Sequence, residues 1–271
     1  MCAAGACPTS TFGRVTGVVA AVCGVFGLVV GSFLNVVIWR VPRRESVVVP
    51  ASHCPSCDTA LAPYENVPIF SWVVLRARCR HCGTRISARY PAVELLTAVS
   101  FAAMGARFHD SWVLPAYLVF SAGLVALSLI DLEHYVLPNR VLYPMGFISL
   151  PLLLIGSLLE DDLGAFWQAL LGGAVAFSVF YVIHVISPRG MGFGDVRLSF
   201  LLGCFLGWLG WWYVAFGLFA GFLYGAIVGV VLMALGKRKR RQHIPFGPFL
   251  AAGALTIVLI GEPIIDWYRG L

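Results

Sequence analysis

The sequence predicts an all-α, polytopic membrane protein of about eight transmembrane helices, with a small polar insert between the first and second spans. Three observations predict it. Hydrophobic residues make up 59% of the 271, charged residues only 12%, and mean hydropathy is +0.87; a soluble domain is nearer one quarter charged. Apolar runs of about 20 residues recur along the chain, the length that crosses a bilayer core as a helix. The one marked shift of composition is the polar stretch 39–91. Lipid offers backbone groups no partners, so spans are helices or closed barrels, and continuous apolar runs without strand alternation select helices.

The first span is read at Val15–Ile38. Its apolar region exceeds the 7–15 residues of a cleaved signal and ends in Arg40, so it is expected to be retained. The insert 39–91 follows. The second span, Pro91–Ala106, is short; Trp112–Ile130, Val141–Leu159 and Ala165–Ile186 have ordinary lengths. The sixth, Arg197–Leu209, is short and almost continuous with the seventh, Trp211–Leu235; Ile244–Ile265 is the eighth. The expected organisation is a first span in 1–38, a module in 39–91 and a membrane domain of seven spans in 92–271.

Charge sets the orientation. All but Arg14, Arg107 and Arg269 of the 19 Lys/Arg fall on one side of this arrangement, including the run Lys237–Arg241. The positive-inside rule places that side, and the insert, in the cytoplasm. The run 237–241 serves as a topology anchor, with contact to anionic lipid as the sharper alternative. The chain's strongly apolar make-up points to the lipid bilayer as its medium, and no nucleic-acid partner is expected.

The insert carries the strongest local motif. Cys54-Pro-Ser-Cys57 and Cys79-Arg-His-Cys82 form two C-x2-C pairs separated by 21 residues. Two such knuckles present four thiolates to one tetrahedral ion, the pattern of a structural zinc site. A cytoplasmic module keeps its thiols reduced, which disfavours a disulfide pair. Zinc would stabilise a module otherwise too small to fold. His53 and His81 are expected to be bystanders. Cys2, Cys7, Cys23 and Cys204 show no ligand spacing, and Cys23 and Cys204 read as packing residues.

Two acids stand out in the apolar remainder. Asp131 ends the run Ala116–Ile130, and Asp195 follows the turn Gly190-Met191-Gly192-Phe193-Gly194. A carboxylate at the bilayer centre costs about 2.5–3.5 kcal/mol on insertion scales, and acids kept in such segments mark function. Two close carboxyls resist double ionisation and share a proton. The ionised member then takes a proton from water while the protonated one polarises a scissile carbonyl, so the pair fits peptide hydrolysis without metal or serine. Gly190, Gly192 and Gly194 are expected to supply positive φ and room for an extended peptide, and Pro138 to stop a helix continuing past Asp131. Capping of the sixth span is the plainer role for Asp195. Glu133 is expected to face a solvated loop, His134 to be a polar loop residue, and Glu94 to pair with an arginine of the insert.

Ordered segments across nearly the whole chain carry a resemblance. They are Gly31-Ser32-Phe33-Leu34-Asn35 through Val41-Pro42, the two cysteine pairs, Pro63-Tyr64-Glu65-Asn66-Val67-Pro68, Arg89-Tyr90-Pro91-Ala92-Val93-Glu94, Asp131-Leu132-Glu133-His134, Gly190 to Leu198, and Pro245-Phe246-Gly247-Pro248. Together they resemble the type IV prepilin leader peptidases, the bacterial branch of the GxGD intramembrane aspartic proteases. The resemblance implies removal of the short, positively charged leader of type IV prepilins or pseudopilins, after a glycine, at the cytoplasmic face of the inner membrane. It implies Asp131 and Asp195 as the catalytic pair, a cytoplasmic zinc module at Cys54, Cys57, Cys79 and Cys82, and methylation of the new amino terminus from S-adenosylmethionine. No glycine-rich Rossmann signature locates that cofactor. Arg197 stands where the family usually has lysine, and Glu133 where aspartate is common. Two other classes stay open at this point. An ion- or proton-coupled transporter would show two related halves with paired broken spans, and none are evident; a zinc-ribbon scaffold would need neither aspartate.

Overall fold

The computed structural model describes residues 9–54, 56–188, 190–235 and 245–270. Its helices are α1 (Thr9–Arg40), α2 (Phe70–Val74), α3 (Arg89–Arg107), α4 (Leu114–His134), α5 (Asn139–Leu159), α6 (Leu163–Ile186), α7 (Phe193–Leu209), α8 (Trp211–Ala234) and α9 (Gly247–Arg269). Every predicted span has its helix, and α2 is a short addition inside the insert. The described residues contain no strand, only two isolated bridges in the insert. Cys2, Cys7, Arg189 and the basic run Lys237–Arg241 lie outside the described residues.

Among the described residues six helices, α1, α4, α5, α6, α8 and α9, are long and apolar enough to cross a membrane. This is a multi-pass membrane protein. The remaining two long helices, α3 and α7, are the ones the sequence reads as short. The 17-residue α7 is buried along most of its length by its neighbours. Being surrounded by protein, it needs no full-length lipid-facing surface.

Consecutive helices pair: α1 with α3, α4 with α5, α6 with α7, α8 with α9. Small residues permit the closest pairing. A Cβ added at Gly203 of α7 would lie 2.5 Å from the Gly172 carbonyl oxygen of α6. Backbones approach this way where lipid gives helices no hydrophobic reason to associate. α9 packs on both α4 and α7. Those two also meet directly through aromatic side chains. The Tyr117 hydroxyl donates to the Phe205 carbonyl at 2.7 Å, and Phe120 stacks on Phe205 with ring centroids 4.0 Å apart. The main core runs through α4 to α9, while a smaller cluster of Leu34, Ile38, Val93, Val125, Ala126 and Ile130 ties the α1–α3 pair to α4.

Local signals set the ends that matter for the site. α4 stops with Tyr135 in the left-handed region, φ 57°. Extended Pro138 then opens α5, as expected from its fixed φ and missing N–H. α7 begins at Phe193, so Asp195 lies inside its first turn.

Candidate active site and cysteine cluster

Asp131 is in the last turn of α4 and Asp195 in the first turn of α7. Both are buried, 5% and 9% exposed. They line one cavity of about 420 Å³, whose other walls are the 135–139 connection, Gly192, Gly194 and Arg197. The carboxylates are within electrostatic reach of one another. The fold therefore joins two acids distant in sequence on one hollow.

Backbone amides meet both acids. The Gly247 N–H, at the start of α9, donates to Asp131 Oδ2 at 3.1 Å. The Gly192 amide faces the Asp195 carboxylate. Both donors sit at helix N-termini, whose dipole favours negative charge. A capping contact is thus present at Asp195, but capping explains neither its burial nor its shared cavity with Asp131.

Sequence reasoning missed several parts of this site. Gly247 was legible only as a motif fragment. A Cβ there would lie 2.9 Å from Asp131 Oδ2 and 3.1 Å from Leu137 Cδ2, so glycine is what lets α9 begin against the acid. Arg197 Nη1 donates to Asn139 Oδ1 at 2.7 Å, closing one wall of the cavity. His184 Nδ1 bonds the Met191 carbonyl at 2.8 Å and steadies the turn before Asp195; its signal was a lone polar residue near the end of an apolar span.

Three expectations are corrected. Among the described glycines only Gly83 and Gly210 have positive φ, so Gly190, Gly192 and Gly194 do not act through left-handed backbone. At Gly194 the reason is contact: a Cβ would lie 3.0 Å from Leu137 Cβ. Glu133 does not simply face a solvated loop, because Arg89 Nη1 pairs with its Oε1 at 2.8 Å. Glu94 is buried between α1 and α3 and takes a backbone donor rather than an arginine: the Ile69 N–H reaches Glu94 Oε2 at 2.7 Å. A backbone amide satisfies a buried carboxylate without bringing a second charge out of water.

The four insert cysteines come together. Their Sγ atoms all lie within 4.8 Å of one another. Zinc–thiolate bonds of about 2.3 Å in a tetrahedron set sulfurs roughly 3.8 Å apart, and Cys54 Sγ and Cys82 Sγ are 3.8 Å apart. The set fits one metal ion.

The two knuckles repeat one another. Cys54 N–H donates to the Thr59 carbonyl at 3.0 Å, and Cys79 N–H to the Thr84 carbonyl at 2.8 Å. Asp58 and Gly83 occupy the same left-handed position, φ 57° and 70°. The Thr84 hydroxyl beside Cys82 brings that thiol down to about 6, and the Thr59 hydroxyl lowers Cys57 likewise. Hydrogen bonds to sulfur favour the thiolate a metal needs. The repeated C-x2-C-x-T was visible in the sequence and unread. His53 and His81 are not in the cluster. Cys23 and Cys204 are buried in helix packing, as expected.

Comparison with known proteins agrees with this architecture. The profile of the Bacterial Peptidase A24 N-terminal domain matches residues 25–108, and that of the Type IV leader peptidase family matches residues 118–232. The chain belongs to the type IV leader peptidase family. A prepilin leader peptidase/N-methyltransferase of Bacillus subtilis is 37% identical over 90% of this chain and 95% of its own length. The one of Pseudomonas aeruginosa is 35% identical over 89% and 90%. That of Myxococcus xanthus is 45% identical over 81% of this chain and 65% of itself. No solved structure matches the chain. In this family the first profile ends within the α3–α4 connection, and the second spans both aspartates.

Proposed function

We propose that this protein is a membrane-embedded aspartic endopeptidase that removes the leader from type IV prepilins or pseudopilins, and that it also methylates the new amino terminus, as the relatives' shared name indicates. Asp131 and Asp195 are the catalytic pair. The observation that carries the reading is their burial at one cavity, at adjoining ends of α4 and α7. The site faces the cytoplasmic side of a bacterial inner membrane by the positive-inside rule, where a prepilin presents its leader.

One carboxylate, ionised, takes a proton from the attacking water. The other, protonated, donates to the scissile carbonyl oxygen; as the tetrahedral diol collapses, the first passes the proton it took from water to the leaving amine and the second recovers one from the diol hydroxyl. The Gly247 and Gly192 amides hold the carboxylates in place and stabilise the single negative charge of the pair. The two acids titrate together, so their apparent pKa values belong to the dyad. Arg197, held by Asn139, supplies a positive charge on the cavity wall.

The insert 39–91 works as a separate module in which Cys54, Cys57, Cys79 and Cys82 hold structural zinc. Four thiolates complete the coordination shell, so the ion supplies rigidity and no open position for chemistry. The methyl donor is S-adenosylmethionine, which supplies an electrophilic methyl group. The described residues contain no glycine-rich nucleotide turn to hold it, and the geometry supports the peptidase half.

The test is leader removal from a prepilin by purified protein in detergent. Processing is expected to rise and then fall with pH as the pair passes through its singly protonated state. A flat profile, with substrate entry shown not to limit the rate, would contradict the paired-acid mechanism. Ion uptake by the reconstituted chain without any cleavage would favour a transporter instead.

A further inference from the structure

The short helix α2 is amphipathic in the wrong sense for a helix in water. Its inner side is polar: Ser71 is buried and donates to the Tyr64 carbonyl at 2.6 Å, and Trp72 Nε1 donates to the Ile86 carbonyl at 3.2 Å. Its outer side is apolar. Phe70, Val73 and Val74 are 65%, 59% and 59% exposed. Their spacing of i, i+3 and i+4 puts all three on one face. No part of the described chain covers that face.

The position of α2 says what covers it. The Ile69 N–H, immediately before α2, is bonded to Glu94 in α3. Helical side chains tilt toward the helix N-terminus, so α2 starts within about a turn of Glu94. Glu94 is followed by Leu95 and Leu96, both exposed, on a helix packed along the spanning α1. Ile69 is held at φ 58° to make this bond, a positive-φ conformation that is strained for a β-branched residue. The chain thus tethers α2 to α3, which packs along the membrane-spanning α1. Trp39, near the end of α1, marks the same border: it is exposed, and Arg43 lies 3.6 Å over its ring. Tryptophan collects at membrane–water interfaces.

Charge agrees with position. Residues 41–88 carry six arginines against three acids. Arg76 and Arg78, just past α2, are exposed. The cytoplasmic leaflet is anionic and attracts basic residues near it.

We propose that α2 is an interfacial anchor: Phe70, Val73 and Val74 enter the headgroup–acyl boundary of the membrane, and Arg76 and Arg78 contact anionic lipid headgroups. The cysteine module then lies against the bilayer instead of hanging from its two tethers. This is independent of the peptidase chemistry.

The test uses the full chain in bilayers containing phosphatidylglycerol. A photoreactive p-benzoylphenylalanine is introduced in place of Phe70, or of Val99, an exposed residue further along α3. After irradiation, mass spectrometry is expected to find lipid adducts at position 70 within about threefold of those at 99, with leader cleavage retained as the sign of an intact fold. Adducts at 70 more than tenfold below those at 99 would overturn the proposal. So would adducts at 70 that form with added prepilin in preference to lipid, which would assign the face to the substrate. The unmodified chain gives a second readout. Tryptic cutting after Arg76 and Arg78 is expected to slow at least threefold when phosphatidylglycerol replaces zwitterionic lipid. Equal rates would remove the arginines from the contact.

Discussion

The cysteine cluster and the aspartate pair are both gathered sets of ionisable side chains, the four Sγ atoms within 4.8 Å of one another and the two acids on one cavity, yet they are built in opposite ways. Each knuckle of the cysteine cluster is a local turn closed by its own backbone hydrogen bonds, Cys54 to Thr59 and Cys79 to Thr84. Only the meeting of the two knuckles is long-range. The aspartate pair draws on local structure for one contact, the Gly192 amide at Asp195. It needs the end of α4, the start of α7 and the start of α9 to converge, and a single amide, Gly247, spans the last gap. A site built from local turns should fail one ligand at a time through loss of metal. A site built from converging helix ends should fail through geometry as much as through loss of a group.

The sharpest break in that comparison is removal of either acid. Asp131→Asn and Asp195→Asn keep shape but forbid the shared proton. Each is expected to lower leader cleavage by at least the roughly 10²–10⁴-fold that a positioned acid or base contributes. Metal content of the purified protein should be unchanged. If either single variant still processes prepilin at the normal rate, the two acids are not the catalytic pair. Next comes geometry without any change of charge. In Gly247→Ala the new methyl group would sit 2.9 Å from Asp131 Oδ2, so α9 or the carboxylate must shift. A displacement approaching 1 Å costs on the order of 10²-fold in rate, and a loss of about ten- to a hundredfold in kcat is expected. Wild-type activity in Gly247→Ala would show that the Asp131–Gly247 contact is incidental.

These two predictions also separate what the sequence shows from what it hides. The cysteine cluster was legible because its members are specified by spacing along the chain. The acids were legible one at a time, because a carboxylate ending an apolar run is expensive to keep. Their meeting was not legible, since it depends on how α9 leans against α4 and α7, and that is set by side-chain volumes along whole helices. The glycines before Asp195 show the same limit. Their number was plain, but the reason at Gly194 is the Leu137 side chain, a neighbour from another helix pair. Glu94 was misread for a related cause. Sequence suggests charged partners, whereas a strained turn at Ile69 delivers a backbone donor. All eight long helices were legible, and so were the two short ones among them; that α7 is short because protein surrounds it was not.

A third prediction concerns the cysteine side. Cys79→Ser removes one of four ligands, and bound metal is expected to fall from about one per chain to near zero. Cleavage should fall far less than in the aspartate variants. The Ile69–Glu94 bond ties the module to α3, which carries neither acid, and the polar link onward to the helix of Asp131 is the pair Arg89–Glu133. A loss greater than about a hundredfold, in protein that is still inserted, would mean that the two sites are one mechanical unit. Retained metal at full stoichiometry would mean that Cys79 is not a ligand.

The smallest expected effect tests the link itself. Arg89 opens α3 directly after the module, and Glu133 lies two residues past Asp131 in the last turn of α4. Their 2.8 Å pair is the shortest ionic route from one site to the other. Both side chains are partly solvated, 29% and 39% exposed, and such pairs contribute about 0–1 kcal/mol. Arg89→Gln and Glu133→Gln should therefore each lower kcat/KM by no more than about fivefold, the rate equivalent of 1 kcal/mol. The double variant should be no worse than the poorer single, because one broken pair cannot be broken twice. High salt should shrink the difference from wild type, since screening weakens the pair in the intact protein first. Effects that multiply in the double variant would show that Arg89 and Glu133 act on separate partners. The cysteine module would then touch the aspartates only through the packing of α3 against α4.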